Sequence, residues 1–405
     1  MLSERIRHAR LAAGLTLDEV VERLATLGTP ITKAGLSKYE LGKSTPGAAF
    51  LLKLGRALGV TSAYFLREPE VSVRWVAFRK KSSLTLTRQE EIKAVVEDRV
   101  EGQLWLQSTL NVEPSINTHP RIPVRTLEEA ESAAATLRSA WKLDNLPIES
   151  LTQTFEDKGG LVVGYEDEDS KFDGLSGWVN ELVPLAVINT AVSADRSRYN
   201  LAHEIGHMMM ECKNAEEKEQ EQMAHRFAAA FLVPSEVARR ELGTKRRQLS
   251  LDEIGLLKRK YGLSMQAWIR RALDLDIIDE GHYRTLCMEF ARRGWRKREP
   301  IQYDGDERPT KLMQLTLRAL AEGVITAERA AQLCPDCSAR LAAITQVPPA
   351  RNLSAQEMRN MPAEQRDQLL ALAAAEAEVD YRQDSNLTDF EAFGEDDLYD
   401  STDAR

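Results

Sequence analysis

Cysteine is scarce: Cys212, Cys287, Cys334 and Cys337 are the four in 405 residues. That is too few for the disulfide framework that staples a small secreted domain. Cys334 and Cys337 form one CPDC pair, but a structural zinc site needs four ligands and no second CxxC or HxxxH follows. Both flanks read as helical, whereas a redox CxxC opens a helix after a strand, so the pair reads as two incidental thiols. No apolar run reaches the ~18–20 residues that span a bilayer, and the start MLSERIRHARLAAG lacks a signal peptide's uninterrupted apolar stretch. A cytoplasmic protein without a membrane partner is the expectation. Histidine is rare too, with six in the chain, which lends weight to any pair at a meaningful spacing.

What remains is globular: 43% hydrophobic and 29% charged residues can bury a core, and this length predicts two to four domains. The net charge of −9 is unevenly placed. Residues 376–405 hold 11 acidic side chains against Arg382 and Arg405, so the rest of the chain is close to neutral. The first 68 residues carry 10 Lys/Arg against 6 Asp/Glu, an excess that permits a nucleic-acid face without demonstrating one.

Residues 3–67 read as a bundle of five short helices, with Ile6, Leu11, Val20, Leu24, Leu36, Leu51, Leu54 and Leu58 at helical spacing. Thr16-Leu-Asp-Glu19 is a capping box, a further helix starts near Thr32, and another runs through Ala48–Leu58. Helix, turn, helix at this spacing can lay its second member in a major groove. The landmarks IRHARLAAGLTLDEVVERL, LSKYELGKSTP and LLKLGRALGV resemble the Xre/Cro-type repressor family, although the loop ATLGTPITKAG is longer than its usual turn. The implied DNA contacts are Thr32, Lys33, Ser37, Lys38 and Lys43, and the implied partner is a double-stranded operator.

Residues 69–125 combine a basic extended segment (VSVRWVAFRKKSS), a helix through Thr87–Leu110 and a Pro-punctuated stretch, which together read as a connector. From Thr126 an amphipathic helix, a Gly159-Gly160 stop and strands at 161–165, 175–179 and 184–189 predict an α+β domain over 126–235. A helical extension over 236–300, a helical C-terminal region over 301–384 and an acidic, disordered tail over 385–405 complete the division. The chain is thus multidomain and mainly α, with one α+β part.

The residues that carry chemistry are RYNLAHEIGHMMM, 198–210. His203 and His207, four apart on a helix, share one face and can aim both imidazoles at one ion. Glu204 sits beside them, placed to take a proton from water that a bound Zn²⁺ has acidified. Two solvated histidines on a surface helix would be the bland alternative. The apolar neighbours Leu201, Ala202, Ile205, Met208 and Met209 argue against it, because they bury the rings and make partners necessary. Gly206 lets something approach the helix closely. A third ligand must come from elsewhere in the chain, and the next helix, EKEQEQMAHRFAAAFLVP, 217–234, is the first place to look. Glu221, Ala224, Ala228 and Phe231 fall on one stripe there, with His225 a competing ligand and Glu217 a weaker one.

AVINT, Arg198-Tyr199, AHEIGH and the helix from Glu221 to Pro234 resemble the ImmA/IrrE family of metallopeptidases. His225 stands where Asn is commoner in that family, and Met223 where an acidic or amide residue is. The resemblance implies a gluzincin-like α+β domain and one Zn²⁺ per chain, held by His203, His207 and Glu221 with Glu204 as general base. It extends to about Pro300. The implied function is a DNA-binding regulator that cleaves a protein, such as a partner repressor, in a stress, defence or mobile-element response. A repressor or antitoxin-type factor whose peptidase-like domain only senses is the alternative, and either form leaves room for a homodimer.

Overall fold

The computed structural model describes residues 2–334 apart from 67–70, 81–84, 113–120, 168–171, 214 and 297. The acidic tail, Cys337 and most of the expected C-terminal helical region lie outside the described residues. Cys334 is disulfide-bonded, which corrects its reading as an incidental thiol.

The head consists of α1 (Leu2–Ala12), α2 (Leu17–Thr26), α3 (Lys33–Glu40), α4 (Ala48–Leu58) and a 3₁₀ turn at Ser62–Leu66. Thr16 and Glu19 cap α2 reciprocally, and the Thr32 hydroxyl accepts from the Gly35 amide to open α3. Ile6, Val20, Leu24, Leu36 and Leu54 close the head's own core, each at most 1% exposed.

The segment read as a connector is a structural part of the body. Strand β1 (Val73–Lys80) and α5 (Leu86–Thr109) open it. They are followed by the short β2 (Ile122–Pro123), α6 (Leu127–Trp141), α7 (Leu151–Asp157), β3 (Leu161–Tyr165), β4 (Phe172–Val179) and β5 (Val183–Asn189). One four-stranded sheet runs in the order β1-β4-β5-β3, with β1–β4 and β4–β5 antiparallel and β5–β3 parallel. Ile92, Val96 and Val100 of α5 cover one face of it, against Leu175, Leu185 and Val187. A local reading could not place β1, because its partner lies about a hundred residues away and pairing register is a long-range property.

The other face carries α8 (Ala194–Met209), whose last turn leads into β6 (Met210–Glu211), parallel to β2. Then come α9 (Glu217–Leu232), α10 (Ser235–Leu242), α11 (Leu251–Tyr261), α12 (Met265–Asp274) and α13 (Glu280–Arg292). α6, α8 and α9 meet through Ala130, Ala133, Ala134, Ala202, Ala224 and Ala228, all at most 1% exposed. Small side chains at that junction let the helix axes come close.

Residues 301–310 correct a second expectation. They form an irregular strap, and helix resumes only at α14 (Lys311–Ala321) and α15 (Ala327–Leu333). Pro309 removes a backbone donor there, and Glu307 is anchored elsewhere. Its carboxylate accepts from the amides of Leu151 and Thr152 at the positive N-terminal end of α7 and pairs with Arg198 of α8 at 2.5 Å. No helix among the described residues is long and apolar enough to cross a membrane.

Candidate metal centre

Position begins with how firmly α8 is held. Its first turn is gripped by Lys258 of α11, which bonds Asp195 at 3.0 Å and Glu299 at 2.9 Å while 3% exposed. The Ser197 hydroxyl donates to the Asn189 carbonyl, and the Asn200 amide donates to the Asp173 carbonyl of β4. Asn189, the polar end of AVINT, also bonds the backbone of Asp167, Phe172 and Ala191. One buried residue therefore ties the β3–β4 connection, through its side chain, to the helix start, through its carbonyl.

Further along α8 the expected imidazoles converge. His203 Nε2 and His207 Nε2 are 3.0 Å apart, and the Glu221 carboxylate of α9 reaches them at 3.4 and 3.1 Å. Zinc bonded tetrahedrally at 2.0–2.1 Å would separate its donors by about 3.3 Å, so the three atoms approximate one face of that tetrahedron. Bonding from the two rings holds the Glu221 carboxyl well below the usual carboxylate range, so it is anionic and ready to ligate. Two nitrogens and one carboxylate are a donor set that suits Zn²⁺. Among the described residues this is the group of three His, Cys, Asp or Glu placed to hold a metal.

His225, the competing ligand, stands outside that triangle. Its Nδ1 lies 3.1 Å from the Tyr199 hydroxyl, and its ring packs 4.5 Å from that of His203. It shapes the wall behind a ligand. Glu217 lines a cavity of roughly 430 Å³ with Val76, His207, Met210, Gln220 and Glu221, which gives the metal-facing groups access to solvent.

Glu204 is fully buried, and Gly174 of β4 makes that burial sterically feasible. A Cβ at position 174 would stand 2.7 Å from Glu204 Oε1. The need for a glycine there is invisible in the sequence, since nothing near Gly174 resembles a motif. Gly206 does what its position beside His207 suggested: a Cβ there would come within 2.9 Å of the Phe227 ring, so α9 approaches α8 through it.

The DNA-facing candidates are spread out. Lys33, Lys38 and Lys43 are exposed, and Ser37 is half-buried. Lys33 already pairs with Asp18 at 2.6 Å, and the Thr32 hydroxyl is engaged as a helix cap. The head is fastened to the body by Arg5–Glu101, Arg7–Glu90 and His8–Glu97, all between α1 and α5.

Comparison with known proteins agrees with both halves. Residues 1–63 match a family described as a helix-turn-helix domain, and residues 157–273 match the IrrE N-terminal-like domain, a peptidase family. The SPbeta prophage-derived uncharacterized HTH-type transcriptional regulator YonR of Bacillus subtilis (strain 168) is 33% identical over 67 residues. That stretch is 16% of this chain, and the chain spans 57% of the relative's length. The chain thus joins a helix-turn-helix domain to an IrrE-like α+β domain.

Proposed function

We propose that this chain is a DNA-binding regulator whose IrrE-like domain is a zinc endopeptidase acting on a protein partner, with a repressor as the expected substrate. The observation that supports it best is the convergence of His203, His207 and Glu221 on donor separations suited to zinc, next to a buried Glu204.

When bound, Zn²⁺ supplies Lewis acidity that makes water and a peptide carbonyl reactive. The rest falls to the chain. Glu204, confined against Gly174, takes the proton from the attacking water and returns it to the departing amide nitrogen. The Asn200, Ser197 and Asp195 contacts hold the helix so that this carboxylate keeps its place. A domain that only sensed would have no use for a buried base beside the ligands.

The test compares the wild type with Glu204→Gln. Both should carry about one zinc per chain by elemental analysis. When each is expressed in host cells, mapping of new protein N-termini should show cleavage products with the wild type alone. Identical N-terminal maps, or a wild type that holds no zinc, would overturn the endopeptidase reading.

A further inference from the structure

β4 is the strand against which Glu204 lies, and its far side is taken by β5. Its remaining edge lies beside Glu204, where an open strand edge would be a template for an extended polypeptide; the outward edge of the sheet on this side is that of β1. The β4 edge is filled by the chain itself. β1 pairs antiparallel along its whole length, from Val73 opposite Val179 to Lys80 opposite Phe172, and Arg79 lies opposite Gly174. The ladder slips between Trp75 and Ala77, so Val76 is the extra residue of a bulge, and Val76 lines the same cavity as His207 and Glu221. A bulge breaks regular pairing and re-aims the backbone, and here it does so next to the candidate ligands. Ser176, two residues beyond Gly174 and on the same face of β4, has a fully buried hydroxyl with no hydrogen-bond partner among the described residues. The strip of β4 beside Glu204 therefore keeps a polar side chain that the described residues do not use.

We propose that β1 is an internal occupant of the substrate-binding edge. The endopeptidase would then take its substrate as an extended segment pairing antiparallel with β4, and only after β1 has left. The proposal rests on the endopeptidase reading above and adds to it the shape of the substrate and the device that blocks it. Among the β1 residues whose side chains are described, Val73 and Trp75 are half-buried against the core beneath α5, Arg74 pairs with Glu181 at 2.7 Å, and Val76 is exposed. Leaving would expose Val73 and Trp75 and break the Arg74–Glu181 pair.

The probe is a fluorescein-labelled synthetic peptide with the sequence of residues 71–80, followed by fluorescence anisotropy with the full chain. Trp75→Asp, which puts a charge against that core, should loosen β1 and tighten peptide binding at least tenfold over the wild type. The pair Val73→Cys with Val179→Cys joins two opposed positions; once oxidised it should abolish peptide binding, and reduction should restore it. Equal affinity in Trp75→Asp and wild type, or an oxidised clamp that binds as well as the reduced one, overturns the proposal. Should Trp75→Asp fail to fold, the clamp comparison decides alone. Zinc is measured in the same samples. A wild type without zinc sinks the endopeptidase reading and leaves the peptide-binding result to stand or fall separately.

Discussion

Helices α8 and α3 are the two on which the proposed functions depend, and they are built on opposite plans. Twelve of the sixteen residues of α8 are buried, so nearly every side chain there, polar ones included, meets a fixed neighbour. α3 buries Leu36 and leaves Lys33 and Lys38 in solvent. A metal centre needs donors held to within tenths of an ångström, which dense packing supplies. A face that meets phosphate draws on many weak, long-range contacts, each of which can be lost. Single changes should therefore act abruptly in α8 and its supports, and gradually in α3.

The sharpest break of that contrast concerns the third ligand. Glu221→Ala removes one of three donors, and with zinc sites worth ~10–16 kcal/mol in all, affinity should fall by ~10²–10³-fold. His225→Ala removes a neighbour of His203 and should lower affinity by no more than about tenfold. Competition with a chromophoric chelator measures both. Should His225→Ala release zinc and Glu221→Ala keep it, the ligand assignment is wrong.

The support behind α8 comes next. Arg198 and Glu307 are each 1% exposed, so Glu307→Gln leaves a buried guanidinium uncompensated and should destabilise the fold by about 3–5 kcal/mol. Replacing both, Arg198→Met with Glu307→Leu, should recover much of that loss, because the desolvation penalty disappears with the charges. Chemical denaturation of the three proteins measures this, and a double variant no better than Glu307→Gln would count against the ion pair as the cause.

Gly174→Ala sharpens the contrast from the other side, since it touches no ligand. The new methyl would stand 2.7 Å from Glu204 Oε1, closer than a carbon and an oxygen can approach, so the carboxylate must shift. Zinc content should stay at the wild-type level, while cleavage of whatever substrate the N-terminal mapping identifies falls by ~10²-fold. An unchanged rate would show that Glu204 does not act from this position.

These positions differ in how far they can be read from sequence. The HEIGH spacing, the capping box at Thr16 and the stripe of Glu221, Ala224 and Ala228 are local, and each follows from helix geometry. Strands 161–165 and 184–189 were legible from their apolar runs, and Ala48–Leu58 from its periodicity. Gly174, the Arg198–Glu307 pair and the pairing of β1 with β4 were not. Each depends on two segments far apart in the chain meeting in space, and neither segment carries a pattern that names its partner. The strap at 301–310 failed for the same reason: Ala/Leu-rich sequence downstream suggested helix, while Glu307 answers to an α7 terminus 155 residues earlier.

The smallest expected effect lies in α3 and the turn after it, and it is the one that tests the contrast most directly. Lys38 and Lys43 are exposed, with positions on the end of the helix and just beyond it. If each neutralises one phosphate, removing it abolishes the release of about one counterion, which flattens the salt slope by ~1 and weakens binding roughly fivefold near 0.15 M salt. Lys33 should matter less. Its ammonium is already paired with Asp18, so part of its charge is neutralised before DNA arrives, although an exposed pair of this kind is worth only ~0–1 kcal/mol and can be exchanged for a phosphate. The expected order of loss is therefore Lys38→Ala and Lys43→Ala together, then either alone, then Lys33→Ala, with zinc content the same in all. Titrations of a random-sequence duplex at several salt concentrations measure the slopes. A double variant whose affinity and slope match the wild type would place the DNA-binding face elsewhere on the head. A single lysine change that abolishes binding outright would show that α3, like α8, depends on one irreplaceable contact.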